Sequence, residues 1–503
     1  MAQKHKPKYQ SSNNDFNSAP LVVGLVAVMA VIVLFSVGLR LFLNGDSPAP
    51  QVSAATEDAM EITEAPEMEA TEAPAQEERP SLWQRLFGKK QETEPTEPEI
   101  PEPEHVVSQA TISVTGDILM HMPVINTGLT DSGSYNFDSI FRYLLPDSSA
   151  ADLAVANLET TLCGTEGGYK YSGYPAFNCP DEIVDALKNA GFDMLLTANN
   201  HCYDTGEYGF LRTVQTIRNK GLTVLGTTAA VDEPKYLVQD INGIKVGMVC
   251  YTYEGQPENP TPGKIYMNRN ALSDTCSVLI NSFLSAQTDP FFLELQTVLG
   301  KMKQEGAEAT IMFIHWGTEY QTTPSAEQTN IAQQLCDLGF DVIVGGHPHV
   351  IQPVSLLTSR LEPSHKTVCL YSTGNAVSNQ RISEMDLKTG HTEDGLLFSV
   401  TFSKYSDGTV YLEGADLLPF WVDLRTEGSR SYNIIPLHED LMGQWATLYD
   451  MTEEAAANAQ KSYDRTVALT GTGMAEVKQY LADQTAQREA DYLAAVTAPQ
   501  QAA

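Results

Sequence analysis

Residues 341–350 read DVIVGGHPHV, and this stretch combines a strand-like run with two closely spaced histidines. A short apolar run containing β-branched residues is typical of a buried strand, and two glycines then allow the backbone to bend. His347 and His349 follow on either side of Pro348. Side chains two apart in an extended segment point the same way, so both imidazoles can face one site. Taken alone, the stretch is equally compatible with a surface loop.

Five further apolar runs of strand length stop in the same way, at Asp, Glu, Asn or His. Helix-like segments with one apolar face lie between several of the runs and end at glycines. This alternation predicts an α/β fold with a partly parallel sheet that is covered on both faces. The five runs are ATISVTGD (110–117), ADLAVANLE (151–159), FDMLLTANNH (192–201), ATIMFIHWGTE (309–319) and TVCLYSTGN (367–375).

The polar residues that end these runs are expected to meet at one edge of the sheet. Ligands bind outside the carboxyl ends of the strands in open α/β sheets. Carboxylate, imidazole and amide ligands together suit Mn, Fe or Zn better than Ca or Mg, and one carboxylate can bridge two ions. The sequence therefore predicts one or two divalent transition metal ions. The residues expected at this edge are Asp117, Glu159, Asn200, His201, His315, His347 and His349.

Read together, the motifs resemble the CapA family of bacterial capsule and poly-γ-glutamate synthesis proteins. The resemblance covers about residues 110–420. It implies a calcineurin-like metallophosphoesterase fold, layered α/β/α with mixed sheets, and a role in making or attaching an extracellular polymer such as poly-γ-glutamate. The motifs that carry it are GDIL at Gly116, ANLET at Ala156, ANNHCYDTG at Ala198, HWGTE at His315, GGHPHV at Gly345 and YSTGN at Tyr371.

The resemblance also implies roles for individual residues. His201 matches the general acid of related phosphoesterases, and Asp204, three residues later, can orient its imidazole. The positions that match metal ligands are Asp117, Asn200, His315, His347 and His349.

Two departures from the phosphoesterase pattern leave the activity open. The usual Asp-x-His motif has Leu119 in place of the histidine, and Asn157-Leu158-Glu159 replaces the usual Gly-Asp. We treat Asn157 and Glu159 as further ligand candidates. Such a site could bind one metal tightly, bind a weaker pair, or catalyse something other than phosphate-ester hydrolysis. The alternative to a hydrolase or transferase is a non-catalytic polymer-binding or scaffold component of a surface polymer synthase.

An uncharged apolar segment, LVVGLVAVMAVIVLFSVGL, occupies residues 21–39. Its length is close to the roughly 20 residues that a membrane-spanning helix needs, so we expect such a helix over residues 21–43. A cleaved signal peptide is the alternative, although its apolar core is typically only about 7–15 residues. Three lysines in the basic tail, residues 1–20, predict a cytoplasmic N-terminus. We therefore expect a single-pass protein of the cell membrane, with its main domain extracellular and membrane synthase components among its partners.

Residues 44–107 are rich in Glu, Pro, Ala and Thr, and residues 46–104 carry 16 acidic and 4 basic side chains. Such a composition buries too little apolar surface to fold, which predicts a disordered linker. The island SLWQRLFGKK, residues 81–90, is either a short helix or a contact with the membrane or a partner. The net charge of the whole chain, −33, argues against binding nucleic acid through its phosphates.

The CapA-like domain is expected over residues 108–420 and a partly helical extension over residues 421–503. Residues 453–497 have helical spacing that is interrupted at TGTG, residues 470–473. This pattern predicts one or two helices that pack on the domain or bind a partner. Among seven cysteines there is no CxxC, which argues against a zinc ribbon. Cys163 and Cys179 flank a Gly/Tyr-rich loop and could form a disulfide in an oxidising compartment.

Overall fold

The computed structural model describes residues 104–497. The expected basic tail, membrane span and nearly all of the expected linker therefore lie outside the described residues. The strands within the described range are β1 (Val106–Ile118), β2 (Leu153–Leu158), β3 (Met194–Leu196), β4 (Thr223–Leu225), β5 (Leu237–Ile241), β6 (Ile244–Tyr253), β7 (Tyr266–Met267), β8 (Asn270–Ala271), β9 (Ser282–Phe283), β10 (Ala309–His315), β11 (Val342–Gly346), β12 (Val354–Thr358), β13 (Lys366–Leu370), β14 (Asn375–Val377), β15 (Asp394–Tyr405), β16 (Val410–Arg425) and β17 (Ser431–Pro436).

Helices connect many of these strands. The α-helices are α1 (Met122–Thr127), α2 (Asp138–Phe141), α3 (Leu145–Ser148), α4 (Glu182–Asn189), α5 (Gly206–Asn219), α6 (Asp274–Ser277), α7 (Asp289–Gln304), α8 (Ala326–Leu338), α9 (Trp445–Leu448) and α10 (Glu453–Thr497). Short 3-10 turns are formed by Glu166–Gly168, His391–Glu393 and Glu439–Leu441. Among residues 104–497, no helix is both long enough and apolar enough to cross a membrane.

Most of the strands belong to two mixed sheets. Sheet 1 has the order β17-β16-β15-β1-β2-β3-β4, and β14 also pairs with β1. Its strands β1 to β4 are parallel, whereas β15, β16 and β17 are antiparallel to their neighbours. Sheet 2 has the order β12-β13-β11-β10-β6-β5, with β9 beside β6. Its central strands β13, β11, β10 and β6 are parallel, and antiparallel strands β12 and β5 form its edges.

Three hydrophobic clusters show that the fold has four layers. The central cluster combines Val155 of sheet 1 with Phe313 of sheet 2, so the two sheets pack face to face. Ala154 and Ala156, the neighbours of Val155, point the other way into a cluster shared with α1, α2, α4 and α5. The outer face of sheet 2 packs against α7 and α8. The order is therefore α/β/β/α. The mixed sheets that the resemblance implied are confirmed, but the one covered sheet expected from the alternation of strands and helices is two sheets, because that alternation does not say which sheet receives each strand.

All six strand-like runs of the sequence form strands, and the local signals at several element ends are confirmed. Helix α8 begins with a capping box, in which the Ser325 hydroxyl accepts from the Gln328 N–H and the Gln328 side chain accepts from the Ser325 N–H. The helix stops at Gly339, whose φ is 95°. Asn242 and Gly243, with φ of 54° and 84°, form a two-residue turn between β5 and β6, as the Asn-Gly pair favours.

Helix α10 is continuous through residues 470–473, so the single-helix alternative is the one that forms. Gly473 lies instead against the edge of sheet 2, since a Cβ built on it would come within 1.9 Å of the Val354 carbonyl oxygen. Met474, Val477 and Leu481 enter the central cluster between the sheets. The helix therefore packs on the domain, in contact with β15 and β16 of sheet 1 and β12 of sheet 2.

The end of the domain also differs from the expected boundary between residues 420 and 421, which falls inside β16. Strand β17, beyond that boundary, completes the edge of sheet 1. Arg465 of α10 is anchored to this body by an ion pair with the buried carboxylate of Asp394. The described residues accordingly belong to one compact unit.

The cysteines lie inside this unit. Cys250, Cys336 and Cys369 are buried core residues within apolar segments. Cys163 and Cys179, the pair considered for a disulfide, are also buried, and both are free.

The close approach of α10 to β12 gives a test with a matched control. We expect Gly473→Ala to lower the free energy of unfolding by about 1–3 kcal/mol, because the added Cβ would overlap the Val354 carbonyl. Gly471→Ala places its Cβ at an ordinary 3.6 Å from Val467, and the better helix propensity should raise the free energy of unfolding by up to about 1 kcal/mol. Urea unfolding of both variants measures the difference, and stabilisation by both would contradict the packing.

Candidate functional site

The two sheets bring the carboxyl ends of their parallel strands together. Asp117 and Asn157 are paired residues near the ends of β1 and β2 in sheet 1. His315 ends β10 in sheet 2, and His347 follows β11 directly. The predicted site residues collect at this junction, with each at most 7% exposed. They are Asp117, Asn157, Glu159, Asn200, His201, His315, His347 and His349.

Two groups of side chains in this junction are compatible with metal binding. One consists of Glu159, His315 and His347, and the other of Asp117, Glu159 and His349. Within each group the candidate ligand atoms all lie within 4.8 Å of one another. Glu159 belongs to both groups, which is the position that a bridging carboxylate would take between two ions.

Unpartnered polar atoms support this reading of the site. Both carboxylate oxygens of Glu159 and the Nδ1 atom of His347 are buried without a hydrogen-bond partner. Buried polar groups are nearly always hydrogen-bonded, and a buried carboxylate without a partner is especially costly. The free atoms belong to the residues of the ligand groups, and carboxylate with imidazole is a donor set that suits Mn, Fe or Zn. The residues present therefore fit a divalent transition metal ion.

Asp117 and His349 form a buried pair across the two sheets, with 3.0 Å between Oδ2 and Nδ1. Burial alone would lower the pKa of His349, but the charges of Glu159 and Asp117 outweigh it and raise the pKa to about 9. Burial alone would raise the pKa of Asp117, but the hydrogen bond and charge of His349 outweigh it, and the pKa of Asp117 is lower than that of a free aspartate. Asn375, which ends a predicted run, also contacts this pair, because its Oδ1 lies 3.1 Å from His349 Nδ1.

Asn157 supports Asp117 in this arrangement. Its amide nitrogen donates to Asp117 Oδ1 at 2.7 Å, and its amide oxygen accepts from Asn199 at 3.2 Å. On the other side of the site, Asn200 Oδ1 lies 2.8 Å from His315 Nε2. The two asparagines thus hold side chains of the two ligand groups in place.

The environment of His347 favours its neutral form. Burial, followed by the charges of His315 and His349, lowers its pKa well below the usual value. Its ring packs against those of Tyr253 and His315, with centroids 4.7 and 4.9 Å away. A neutral imidazole with a free buried Nδ1 is what a metal ligand requires.

His201 and Asp204 form the predicted pair at the edge of the site. His201 Nδ1 lies 2.7 Å from Asp204 Oδ2, and the same oxygen accepts from the backbone N–H of Phe177 at 2.7 Å. Burial lowers the pKa of His201, but the hydrogen bond and charge of Asp204, with the charge of Glu159, outweigh it and raise the pKa. The pair therefore favours a protonated imidazole, which can donate a proton.

The backbone of the GGHPH segment is not extended, so the explanation from the sequence for how His347 and His349 face one site is wrong. His347 and His349 have φ of 96° and 58°, so the segment is in left-handed conformations and is not extended. The rings turn toward different ligand groups, with centroids 5.9 Å apart. Gly345 is required by close approach, since a Cβ there would lie 2.0 Å from the Tyr371 carbonyl oxygen. Gly346 faces Asp117, whose Oδ1 would be 3.1 Å from such a Cβ.

The position of the missing Asp-x-His histidine is filled by a buried residue, Leu119. The next histidine along the chain, His121, has its Nδ1 3.2 Å from the backbone N–H of Asn379. Burial, with the charges of His349 and His201, lowers the pKa of His121 to about 4. It therefore lies beside the site as a neutral ring that accepts a backbone hydrogen bond.

A cleft of about 440 Å³ opens beside His201. Sequence reasoning missed the part of its wall formed by Asn268 and Arg269, because MNRNAL is too short to show a period and ends no strand-like run. The Asn268 amide nitrogen lies 3.0 Å from His201 Nδ1, and its amide oxygen accepts from Asn200 at 3.0 Å. The lining is completed by Tyr174, Pro175, Asn200, Tyr253, Gly255, Gln256 and Glu319.

Comparisons with known proteins agree on one family. Residues 111–380 match the model of "Bacterial capsule synthesis protein PGA_cap". "Capsule biosynthesis protein CapA" of Bacillus anthracis is 28% identical over 277 residues, which cover 54% of this chain and 60% of that protein. "PGA biosynthesis protein CapA" of Bacillus subtilis (strain 168) is 27% identical over 270 residues, which cover 53% of this chain and 63% of that protein. The chain thus spans less than two thirds of the length of these relatives.

A solved structure described as "Putative 5'-Nucleotidase from Staphylococcus aureus in complex with alpha-ketoglutarate" aligns over 68% of this chain and 58% of its own, at 16% identity. Its TM-score of 0.38 is too low to establish a common fold. The assignment rests on the family model, which spans more than half of the chain and contains every predicted site residue. The chain belongs to the PGA_cap family of bacterial capsule synthesis proteins.

Proposed function

We propose that this chain is a membrane-anchored, extracytoplasmic metal-dependent hydrolase or transferase in the biosynthesis of capsule or poly-γ-glutamate. The observation that carries the proposal is Glu159, a buried carboxylate without hydrogen-bond partners that is shared by two histidine-containing groups. The family and the names of its Bacillus relatives support a part in polymer synthesis. The face-to-face sheets with ligands at their strand ends support a calcineurin-like metallophosphoesterase arrangement.

The two groups of side chains would each hold one metal ion. Glu159, His315 and His347 would hold one ion, and Asp117, Glu159 and His349 the other, with Mn, Fe or Zn as the candidates. When bound, such ions supply positive charge that stabilises negative charge developing on a substrate oxygen.

His201 would donate the proton that the leaving group needs. Asp204 holds its Nδ1, so the opposite nitrogen, Nε2, remains for the substrate. His201 also lines the cleft, which gives a substrate access to it. Asp204 is fixed in turn by the Phe177 N–H, and this leaves the imidazole little freedom to rotate.

The rival proposal, a non-catalytic polymer-binding or scaffold component of a synthase, is favoured by Leu119 in place of the Asp-x-His histidine. A wild-type chain that binds metal but turns over neither phosphodiesters nor γ-glutamyl oligomers would favour the rival. A chain that retains less than about a tenth of an equivalent of any transition metal, after growth with Mn, Fe and Zn, would contradict the metal site itself.

The shared carboxylate predicts different losses for different ligands. His347→Ala and His349→Ala should each weaken binding of about one ion by tenfold or more, whereas Glu159→Gln should weaken binding of both ions. Metal content and affinity of the full chain, measured by mass spectrometry and titration, provide the test. His365→Gln is a matched control, since His365 lies outside both groups. Full metal content in both histidine variants would rule these residues out as ligands.

The His201–Asp204 pair predicts a shift in the pH profile. His201→Ala should lower turnover by about 10²–10⁴-fold without loss of metal. Asp204 raises the pKa of His201, so Asp204→Asn should lower that pKa. The protonated imidazole would then be lost at lower pH, and the alkaline limb of the kcat/KM profile should move in that direction. If the alkaline limb of the Asp204→Asn variant coincided with that of the wild type, His201 would not be the general acid.

The proposed topology rests on the apolar segment at residues 21–39 and the lysines that precede it. We expect protease added to wall-less cells with intact membranes to release a folded fragment that contains the metal site, after cleavage in the acidic segment. Quantitative immunoblotting with an antibody against the domain detects the fragment, and a cytoplasmic protein of the same cells is the control for leakage. Cleavage seen only after lysis would place the domain on the other side of the membrane.

A further inference from the structure

The turn between β7 and β8 has an unusual composition for its geometry. Asn268 and Arg269 are its two central residues and have φ of 45° and 67°. Two-residue hairpin turns with positive φ at both positions strongly favour Asn-Gly, because glycine enters this region without steric cost. Arginine at the second position is therefore strained, and strain of this kind points to a functional demand on the side chain.

Two contacts fix this turn against the site. The Arg269 N–H donates to the Gly255 carbonyl oxygen at 2.7 Å. The Asn268 side chain accepts a hydrogen bond from Asn200 and lies 3.0 Å from His201 Nδ1. The position of Arg269 is thus tied directly to the proposed proton donor and to a residue that contacts His315.

The Arg269 guanidinium is available to bind a ligand. Among the ten arginines in residues 104–497, Arg269 is the one whose side chain makes no hydrogen bond or ion pair with a described residue, and it is exposed. Apart from His201, it is also the one basic side chain among the residues that line the cleft. Guanidinium groups form paired, charge-assisted hydrogen bonds with carboxylate and phosphate groups.

We propose that Arg269 is the specificity-determining residue of the cleft and binds a carboxylate of a γ-glutamyl chain, which rests on the proposed function and names its substrate class. A γ-linked chain carries a free α-carboxylate on every residue, so one carboxylate can pair with Arg269 while an amide of the chain approaches His201. A cleft of about 440 Å³ is within the usual range for ligand sites and admits a short segment of such a chain.

Equilibrium binding of a fluorescent γ-glutamyl oligomer to the full chain in detergent tests the proposal without requiring turnover. We expect Arg269→Gln to weaken binding by about tenfold or more, since hydrogen bonds to charged groups contribute most strongly. Arg269→Lys keeps the charge but loses the paired geometry and should give an intermediate loss. Arg360→Gln is the matched control, because it removes an exposed arginine that pairs with Asp337 outside the cleft.

A second ligand tests whether Arg269 recognises the carboxylate charge or the γ-glutamyl backbone. An oligomer whose α-carboxylates are converted to amides should bind weakly to the wild-type chain and equally weakly to Arg269→Gln. p-Nitrophenyl phosphate tests whether phosphate is the preferred anion, and a loss in Arg269→Gln confined to phosphate would overturn the carboxylate assignment. Binding of the oligomer that is unchanged in Arg269→Gln, or absent in the wild type, would overturn it as well. Because binding is measured apart from metal content and turnover, failure here is distinguishable from failure of the proposed function.

Discussion

A buried carboxylate without a hydrogen-bond donor is the constraint on which the site depends. Moving a carboxylate from water into a protein costs several kcal/mol even after relaxation. Glu159 is fully buried, and its nearest basic atoms are His315 Nε2 at 3.4 Å and His349 Nδ1 at 4.0 Å, neither in hydrogen-bonding geometry. It directly follows β2, an interior strand between β1 and β3. A cation between Glu159 and the histidines would offset this cost, so a bound metal would also stabilise the site.

The same side chains connect the two sheets. Asp117 comes from sheet 1 and bonds to His349, which follows β11 of sheet 2, while Asn200 after β3 contacts His315 of β10. Each ligand group therefore takes members from both sheets, and neither sheet could build the site alone. Face-to-face packing through the central cluster sets the distance between the strand ends. Small changes in that packing would be transmitted to the ligands, because close-packed interiors do not absorb them locally.

Sequence reasoning predicted that the candidate site residues lie together because they share a local feature, a polar group at the end of an apolar run. It placed His315 and Glu159 at one edge without knowing that two sheets form that edge, since periodicity within a strand carries no information about its distant partners. It left one or two helices open around residues 470–473, because the intrinsic helix penalty of glycine is local but the fit against Val354 is tertiary. Arg269 gave no sequence signal, because its proposed role depends on the turn geometry and on the lack of an ion partner among the described residues, which only the folded chain reveals.

A chain this acidic, acting on an acidic polymer as proposed, would have to attract the polymer locally against an unfavourable net charge. The chain carries a net charge of −33, and salt screens exposed charges beyond about 8 Å at physiological ionic strength. Recognition would then depend on groups within contact distance: the guanidinium of Arg269 in the cleft, and metal ions where the adjacent candidate ligand groups hold them. The Asn268-Arg269 turn connects Arg269 to one of these groups, since Asn268 accepts from Asn200 and Asn200 contacts His315. Polymer anchoring and metal placement would thus be set by one connected network of side chains.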